Sequence, residues 1–100
     1  MDNSVKNNLS SIQQLLLKYK VEHAYLFGSA AKDTMQKNSD VDILIQFSKK
    51  IDFVEYGNNY FDLLYALQGL LNRDVDLVAE ETITNPYLLQ SINASKVTIL

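Results

Sequence analysis

Asp40 and Asp42 stand two residues apart in Ser39-Asp40-Val41-Asp42-Ile43-Leu44-Ile45, and a third acid, Asp76, lies within Asp74-Val75-Asp76-Leu77-Val78. Side chains at i and i+2 of a strand point to the same face, so the first two carboxylates converge. A charge set between Val75 and Leu77 inside an apolar strand is costly unless something pairs it. Three such acids in one place would repel by roughly 4 kcal/mol per close pair at an effective dielectric of about 20. A divalent cation relieves that repulsion, and the ions suited to carboxylate, water and phosphate oxygens are Mg²⁺ and Mn²⁺. Upstream, the apolar run Tyr25-Leu26-Phe27 ends on Gly28-Ser29. Gly28 permits a tight turn and lets the backbone approach a phosphate closely. Ser29 can donate from its hydroxyl or amide, and a helix starting just after it would aim free N–H groups at the same phosphate.

Each of these residues also has a plainer reading. Asp40 could cap a strand or turn, and Asp42 could be an edge charge that discourages aggregation. Asp76 could face solvent. Asp74, on the same face two residues before Asp76, is a rival third ligand, although Arg73 beside it suggests a surface ion pair. Gly28-Ser29 could be an ordinary turn. The serine lies outside any Gly-x-Ser-x-Gly frame, which disfavours a nucleophilic role. His23, the one histidine, reads as structural at a strand start. Tyr56, Tyr60 and Tyr65 read as core or partner surface rather than as a base-stacking platform.

The elements that must position the acids follow from periodicity. Val5, Leu9, Ile12, Leu15, Leu16 and Tyr19 recur at spacings of three and four, predicting one amphipathic helix over 4–18 with Ser4 as N-cap. A short strand is expected over 23–27, a short helix over 30–35, a polar loop over 36–39 and a strong strand over 41–47. Asp52-Phe53-Val54-Glu55 reads as a capping box in its Asp form, opening a helix to about Leu71 that Gly57 loosens. A third strand is expected over 74–78. Asn85-Pro86 opens a helix to about Asn93, and Val97 to Leu100 adds an edge strand. The first two strands can run antiparallel, while the long helix suits a parallel crossover. The expected fold is α/β (α+β), a mixed three- to four-stranded sheet packed against helices.

One hundred residues with 47% hydrophobic and 21% charged predict one domain over 1–100 with a single modest core. There is no cysteine, so no disulfide or thiolate zinc site is available, and a cytoplasmic protein is expected. No apolar run approaches the roughly 20 residues of a membrane span, and Met1-Asp2-Asn3-Ser4 lacks the basic start of an export signal. A net charge of −3 argues against stable non-specific nucleic-acid binding. It leaves room for one nucleotide held through a metal.

The order apolar residue, Gly-Ser, about ten residues, Asp-apolar-Asp-apolar, then a late strand acid resembles the minimal nucleotidyltransferases, small members of the DNA polymerase beta superfamily. Phe27-Gly28-Ser29, Asp40-Val41-Asp42-Ile43 and Asp76 carry the resemblance, which spans about half the chain. It implies the nucleotidyltransferase fold, with Asp40, Asp42 and Asp76 as catalytic residues and ligands of Mg²⁺ or Mn²⁺. It implies Gly28, Ser29 and Lys32 as nucleotide-binding residues. Lys32 stands where relatives usually carry arginine, in Gly28-Ser29-Ala30-Ala31-Lys32-Asp33. Lysine still binds phosphate as a point charge but lacks the bidentate fork.

Chains this short resemble the antitoxins of toxin–antitoxin pairs whose toxin is a helical HEPN protein. The resemblance implies transfer of AMP from a nucleoside triphosphate, ATP, to an acceptor, with a hydroxyl of a HEPN-like toxin tyrosine as the expected target. An alternative is a non-catalytic module that neutralises a partner by docking. A metal-dependent nuclease would use the same acids, but the acidic charge and the Gly-Ser turn disfavour it. An oligomer is left open.

Overall fold

Alternating apolar residues build the sheet, and apolar stripes on helices cover one of its faces. The computed structural model describes residues 1–28 and 40–100. In chain order come α1 (Asn3–Asn7), α2 (Leu9–Lys18), β1 (Val21–Leu26), β2 (Val41–Phe47), α3 (Phe53–Leu71), β3 (Val75–Ala79), a 3₁₀ turn (Glu80–Thr82), α4 (Pro86–Ser95) and β4 (Val97–Thr98). The strands form one sheet in the order β3-β2-β1-β4. β1 runs antiparallel to β2 and β4, and β2 runs parallel to β3. The mixed, four-stranded sheet is the expected one, with α3 as the parallel crossover.

Val41, Ile43, Ile45 and Phe47 of β2 are buried on one face with Val75, Leu77 and Ala79 of β3. Ile12 and Leu16 of α2 and Leu63, Leu67 and Leu71 of α3 join them in a single core. Each of these large apolar side chains stabilises the fold by about 1.5–3 kcal/mol on burial. Asp42 and Asp76 alternate with the core residues and so lie on the opposite face. Among the described residues no helix is long and apolar enough to cross a membrane.

The expected single helix over 4–18 is two helices. Asn8 interrupts it at φ −111°, and its side chain turns back to donate to the Ser4 carbonyl at 2.7 Å. The N-cap is Asp2 rather than Ser4. Its carboxylate accepts from the Ser4 and Val5 amides at 3.0 and 3.3 Å. β1 begins at Val21, two residues before the expected start. A bulge between Val21 and His23 leaves both Glu22 and His23 exposed, which breaks the alternation a sequence reading depends on. The bulge shifts the register so that Ala24 and Leu26 face the core beside Ile45 and Ile43.

β2 and α3 match the expected bounds. Asp52 caps α3 by accepting from the Glu55 amide at 2.8 Å, but the Glu55 carboxylate reaches Lys20 at 2.8 Å, so the capping box is half made. α3 runs unbroken through Gly57 and ends at Asn72 in the left-handed region, φ 51°, a usual helix stop. β3 is one residue later than expected. Asn85 and Pro86 open α4 as expected, and α4 continues to Ser95.

Arg73 ties the start of β3 to the N-terminus, its guanidinium 3.2 Å from the Asp2 carboxylate, with side chains only 13% and 15% exposed. Burial pushes the Asp2 carboxyl up, but bonds from Ser4, Val5 and Arg73 outweigh it and hold the group below its ordinary value. Its stabilisation is therefore present at neutral pH and lost only as pH falls below the usual carboxylate range. Asp2→Ala removes the cap and one charged partner of Arg73. It is expected to cost about 2 kcal/mol in denaturant unfolding at neutral pH; an unchanged midpoint would show that α1 contributes nothing.

Candidate active site

The parallel ladder between β2 and β3 decides where the acids sit. Asp42 and Asp76 are direct partners in register, with Val41 opposite Val75 and Ile43 opposite Leu77. Their side chains therefore project side by side on the face away from the core. Asp40 lies just before β2, two residues back along the same face, and both Asp40 and Asp76 are exposed. Asp42 is half-buried. Burial, then the Asp76 carboxylate, then that of Asp40 push its carboxyl up from 3.8 to about 6. Of the two acids at β3, Asp76 is thus the one that acts on Asp42. Asp74 is occupied through its backbone, its carbonyl accepting from the Val41 amide at 2.9 Å.

Gly28 closes the other side. The Phe27 amide donates to the Asp42 carbonyl at 3.1 Å, which carries the β1–β2 pairing past the end of β1 and sets Gly28 beside Asp42. Gly28 has φ +62°, and a Cβ added there would collide with the Asp42 Oδ2. The left-handed backbone is what requires the glycine, and a Cβ there would also push the Asp42 carboxylate aside.

Gly28, Asp40, Asp42 and Asp76 are therefore brought together at one end of the sheet. Ser29 and Lys32, and the expected helix over 30–35, lie outside the described residues. Among the described residues no three acidic or histidine side chains are already gathered around one cation-sized point. Asp40, Asp42 and Asp76 stand in a row over two strands, and rotation of their side chains is what would close them on an ion. The donor set suits Mg²⁺ or Mn²⁺, all oxygen and anionic. His23 is at the far end of β1, exposed, with Nε2 3.8 Å from Glu22, and takes no part in this cluster.

Two aromatic features near the acids left no sequence signal. The Tyr60 hydroxyl of α3 donates to the Leu77 carbonyl at 2.5 Å. Burial and then the Asp76 charge push that phenol up. On the acid-bearing face, Lys96 Nζ sits 4.1 Å from the centre of the Tyr25 ring. Both contacts join residues far apart in the chain, so no local pattern could mark them.

Residues 10–100 match the polymerase beta nucleotidyltransferase family, and the chain belongs to it. A Methanocaldococcus jannaschii chain assigned as a protein adenylyltransferase is 40% identical over 75 residues, 75% of this chain and 72% of that one. A crystal structure of a toxin–antitoxin complex with AMP-PNP contains a chain that superposes with TM-score 0.75 at 28% identity, covering 93% of this chain and 73% of that one. A complex of tri-AMPylated Shewanella oneidensis HEPN toxin with its MNT antitoxin gives TM-score 0.68 at 25% identity, covering 95% and 71%. The protein is a nucleotidyltransferase of the minimal type, with the fold the Gly-Ser and Asp-x-Asp motifs implied.

Because the folded state raises the Asp42 pKa, folded protein binds that proton more tightly than the unfolded chain does. The ionised carboxylate therefore destabilises the metal-free fold above about pH 6, and the penalty is relieved as pH falls from about 6 toward about 4. Asp42→Asn is expected to raise the Tm of metal-free protein near pH 8 by a few degrees, a gain that vanishes near pH 4. Equal melting at both pH values would remove the repulsion. Gly28→Ala is expected to cost about 1–2 kcal/mol from the left-handed backbone alone, and to displace Asp42. Crystallography of that variant would show an unmoved Asp42 if the close approach were unimportant.

Proposed function

We propose that this chain transfers AMP from ATP, with Mg²⁺ or Mn²⁺, to a tyrosine hydroxyl of a HEPN-family toxin, and so acts as an antitoxin. The observation that carries this reading is the in-register pair Asp42 and Asp76, flanked by Asp40 and backed by Gly28. Support also comes from the related chains, one found with AMP-PNP and one with an AMPylated HEPN toxin.

In this reading Asp40 and Asp42 hold the cation and through it the triphosphate, and Asp76 completes the site toward the acceptor. When bound, the cation neutralises phosphate charge and lowers the pKa of the attacking hydroxyl. Gly28 lets the backbone come close to a phosphate. Ser29 donates to it, and Lys32 adds a positive charge. The tyrosine oxygen forms a bond to the α-phosphorus, the bond from that phosphorus to the bridging oxygen breaks, and pyrophosphate leaves. The hydroxyl proton passes to Asp76 and then to water.

Calorimetry is expected to show ATP binding that EDTA or Asp42→Asn abolishes. Asp76→Asn should keep the ATP Kd within about threefold, while kcat for labelled-AMP transfer falls by about 100-fold or more. Metal-independent ATP binding would sink the cation bridge. If Asp74→Asn rather than Asp76→Asn loses transfer, the third carboxylate is Asp74. Neutralisation of the toxin by Asp42→Asn protein without any transfer would instead establish a docking module.

A further inference from the structure

β3 is the edge strand, and a cleft of about 300 Å³ runs along its open side, lined by Tyr56, Tyr60, Leu77, Val78, Ala79 and Thr82. Its main chain is partly occupied. In the parallel ladder Val75, Leu77 and Ala79 turn their amides and carbonyls outward, and two of these carbonyls are taken, Leu77 by the Tyr60 hydroxyl and Ala79 by the Thr82 hydroxyl at 2.7 Å. A molecule entering here meets apolar walls and side-chain groups.

Position relative to the acids decides which substrate that is. Of the lining residues of β3, Val78 shares the face of Asp76, while Leu77 and Ala79 turn to the core side with the α3 tyrosines. The cleft therefore opens around the β3 edge beside Asp76, whose charge the Tyr60 phenol feels after its burial. Gly28, the phosphate-side residue, follows β1, and β1 lies two strand spacings from β3, roughly 10 Å. The cleft and the phosphate turn are therefore on opposite sides of Asp42. In-line transfer needs the acceptor opposite the leaving pyrophosphate, which puts the acceptor at the β3 edge.

Charge and an unsatisfied group narrow the occupant. Glu80 and Glu81 follow the strand directly, and Glu81 is exposed beside Thr82. An anionic nucleotide is repelled there, and a cationic segment is attracted. The Tyr56 hydroxyl is buried and finds no full hydrogen-bond partner within the chain, although the Glu81 carboxylate is within its reach. Burial first, and then the Glu81 carboxylate, push that phenol up. A phenol that donates toward Glu81 keeps its oxygen lone pairs open to a donor from outside the chain.

Building on the transfer reading above, we propose that this cleft is the acceptor subsite. It receives an apolar side chain of the acceptor polypeptide next to the residue that takes AMP, with a basic residue of the same segment against Glu81. The Tyr56 hydroxyl bonds a polar backbone group of that segment.

Thr82→Phe fills the cleft. Tyr56→Phe removes the hydroxyl while keeping the ring that packs 4.9 Å from Phe47. With the HEPN-family partner and labelled Mg²⁺-ATP, Thr82→Phe is expected to raise the acceptor KM about tenfold or more, and Tyr56→Phe about fivefold. The ATP Kd should stay within about twofold, and the Tm of Tyr56→Phe should stay near that of the wild type, which shows that the variant is folded. Glu81→Lys should raise the acceptor KM and weaken its salt dependence. Unchanged acceptor KM in all three overturns the subsite and leaves the transfer reading intact. Altered ATP affinity with unchanged acceptor KM gives the cleft to the nucleotide and likewise overturns it. If the wild type transfers no AMP, the transfer reading fails. Partner affinity then decides the cleft alone: weaker binding by Thr82→Phe retains it as the docking point, and equal binding removes it.

Discussion

Two carboxylates held in register on neighbouring parallel strands are the constraint around which this fold is organised. Left to themselves, Asp42 and Asp76 would move apart. The β2–β3 ladder prevents this, because Val41, Ile43 and Ile45 pair with Val75, Leu77 and Ala79 and all six side chains are buried in one core. A slip of one residue would turn the acids into the core and the valines and leucine to water. The apolar face thus keeps the charged face in place, and burial together with the neighbouring carboxylates raises the Asp42 pKa.

The rest of the molecule can be understood as support for that ladder. α3 crosses from β2 to β3, which is what a parallel connection requires, and its Leu63, Leu67 and Leu71 press on the sheet from the core side. Tyr60 fastens the same helix to the edge of β3 through the Leu77 carbonyl. Arg73 and Asp2 fix the start of β3 to the N-terminal helices. On the far side of β2, the bulge in β1 sets the register that brings Phe27 and Gly28 level with Asp42. Stability and chemistry are set against each other at the acids, where like charges gather on the sheet face opposite the core. Such a site is the expected place for a natural protein to depart from the most stable sequence.

The site also has a direction along the sheet. Gly28 lies on the β1 side of Asp42 and Asp76 on the β3 side. The β3 edge, with its occupied carbonyls and acidic rim, differs in chemistry from the glycine turn across the sheet.

Much of the fold and of the site was legible in the chain because it rests on local pattern. Alternation placed β2, the leucine stripe and the Asp52 cap placed α3, and Asn85-Pro86 placed the start of α4. The i, i+2 spacing by itself put Asp40 and Asp42 on one face. Where pattern failed, a distant contact had intervened. Asp2 rather than Ser4 caps α1, with Arg73, 71 residues away, bonded to the same carboxylate. Asn8 splits the first helix, and the bulge at Glu22 hides the start of β1. The sequence favoured Asp76 over Asp74 by the resemblance and by Arg73 beside Asp74, although both point the same way from β3; pairing with β2 sets Asp76 directly opposite Asp42. It could not show that a Cβ at Gly28 would push the Asp42 carboxylate aside. Residue types and short spacings determined which groups could do the chemistry. Strand register, which joins segments 34 residues apart, decided which of them meet, because it is set by the burial of a whole face and not by any one motif.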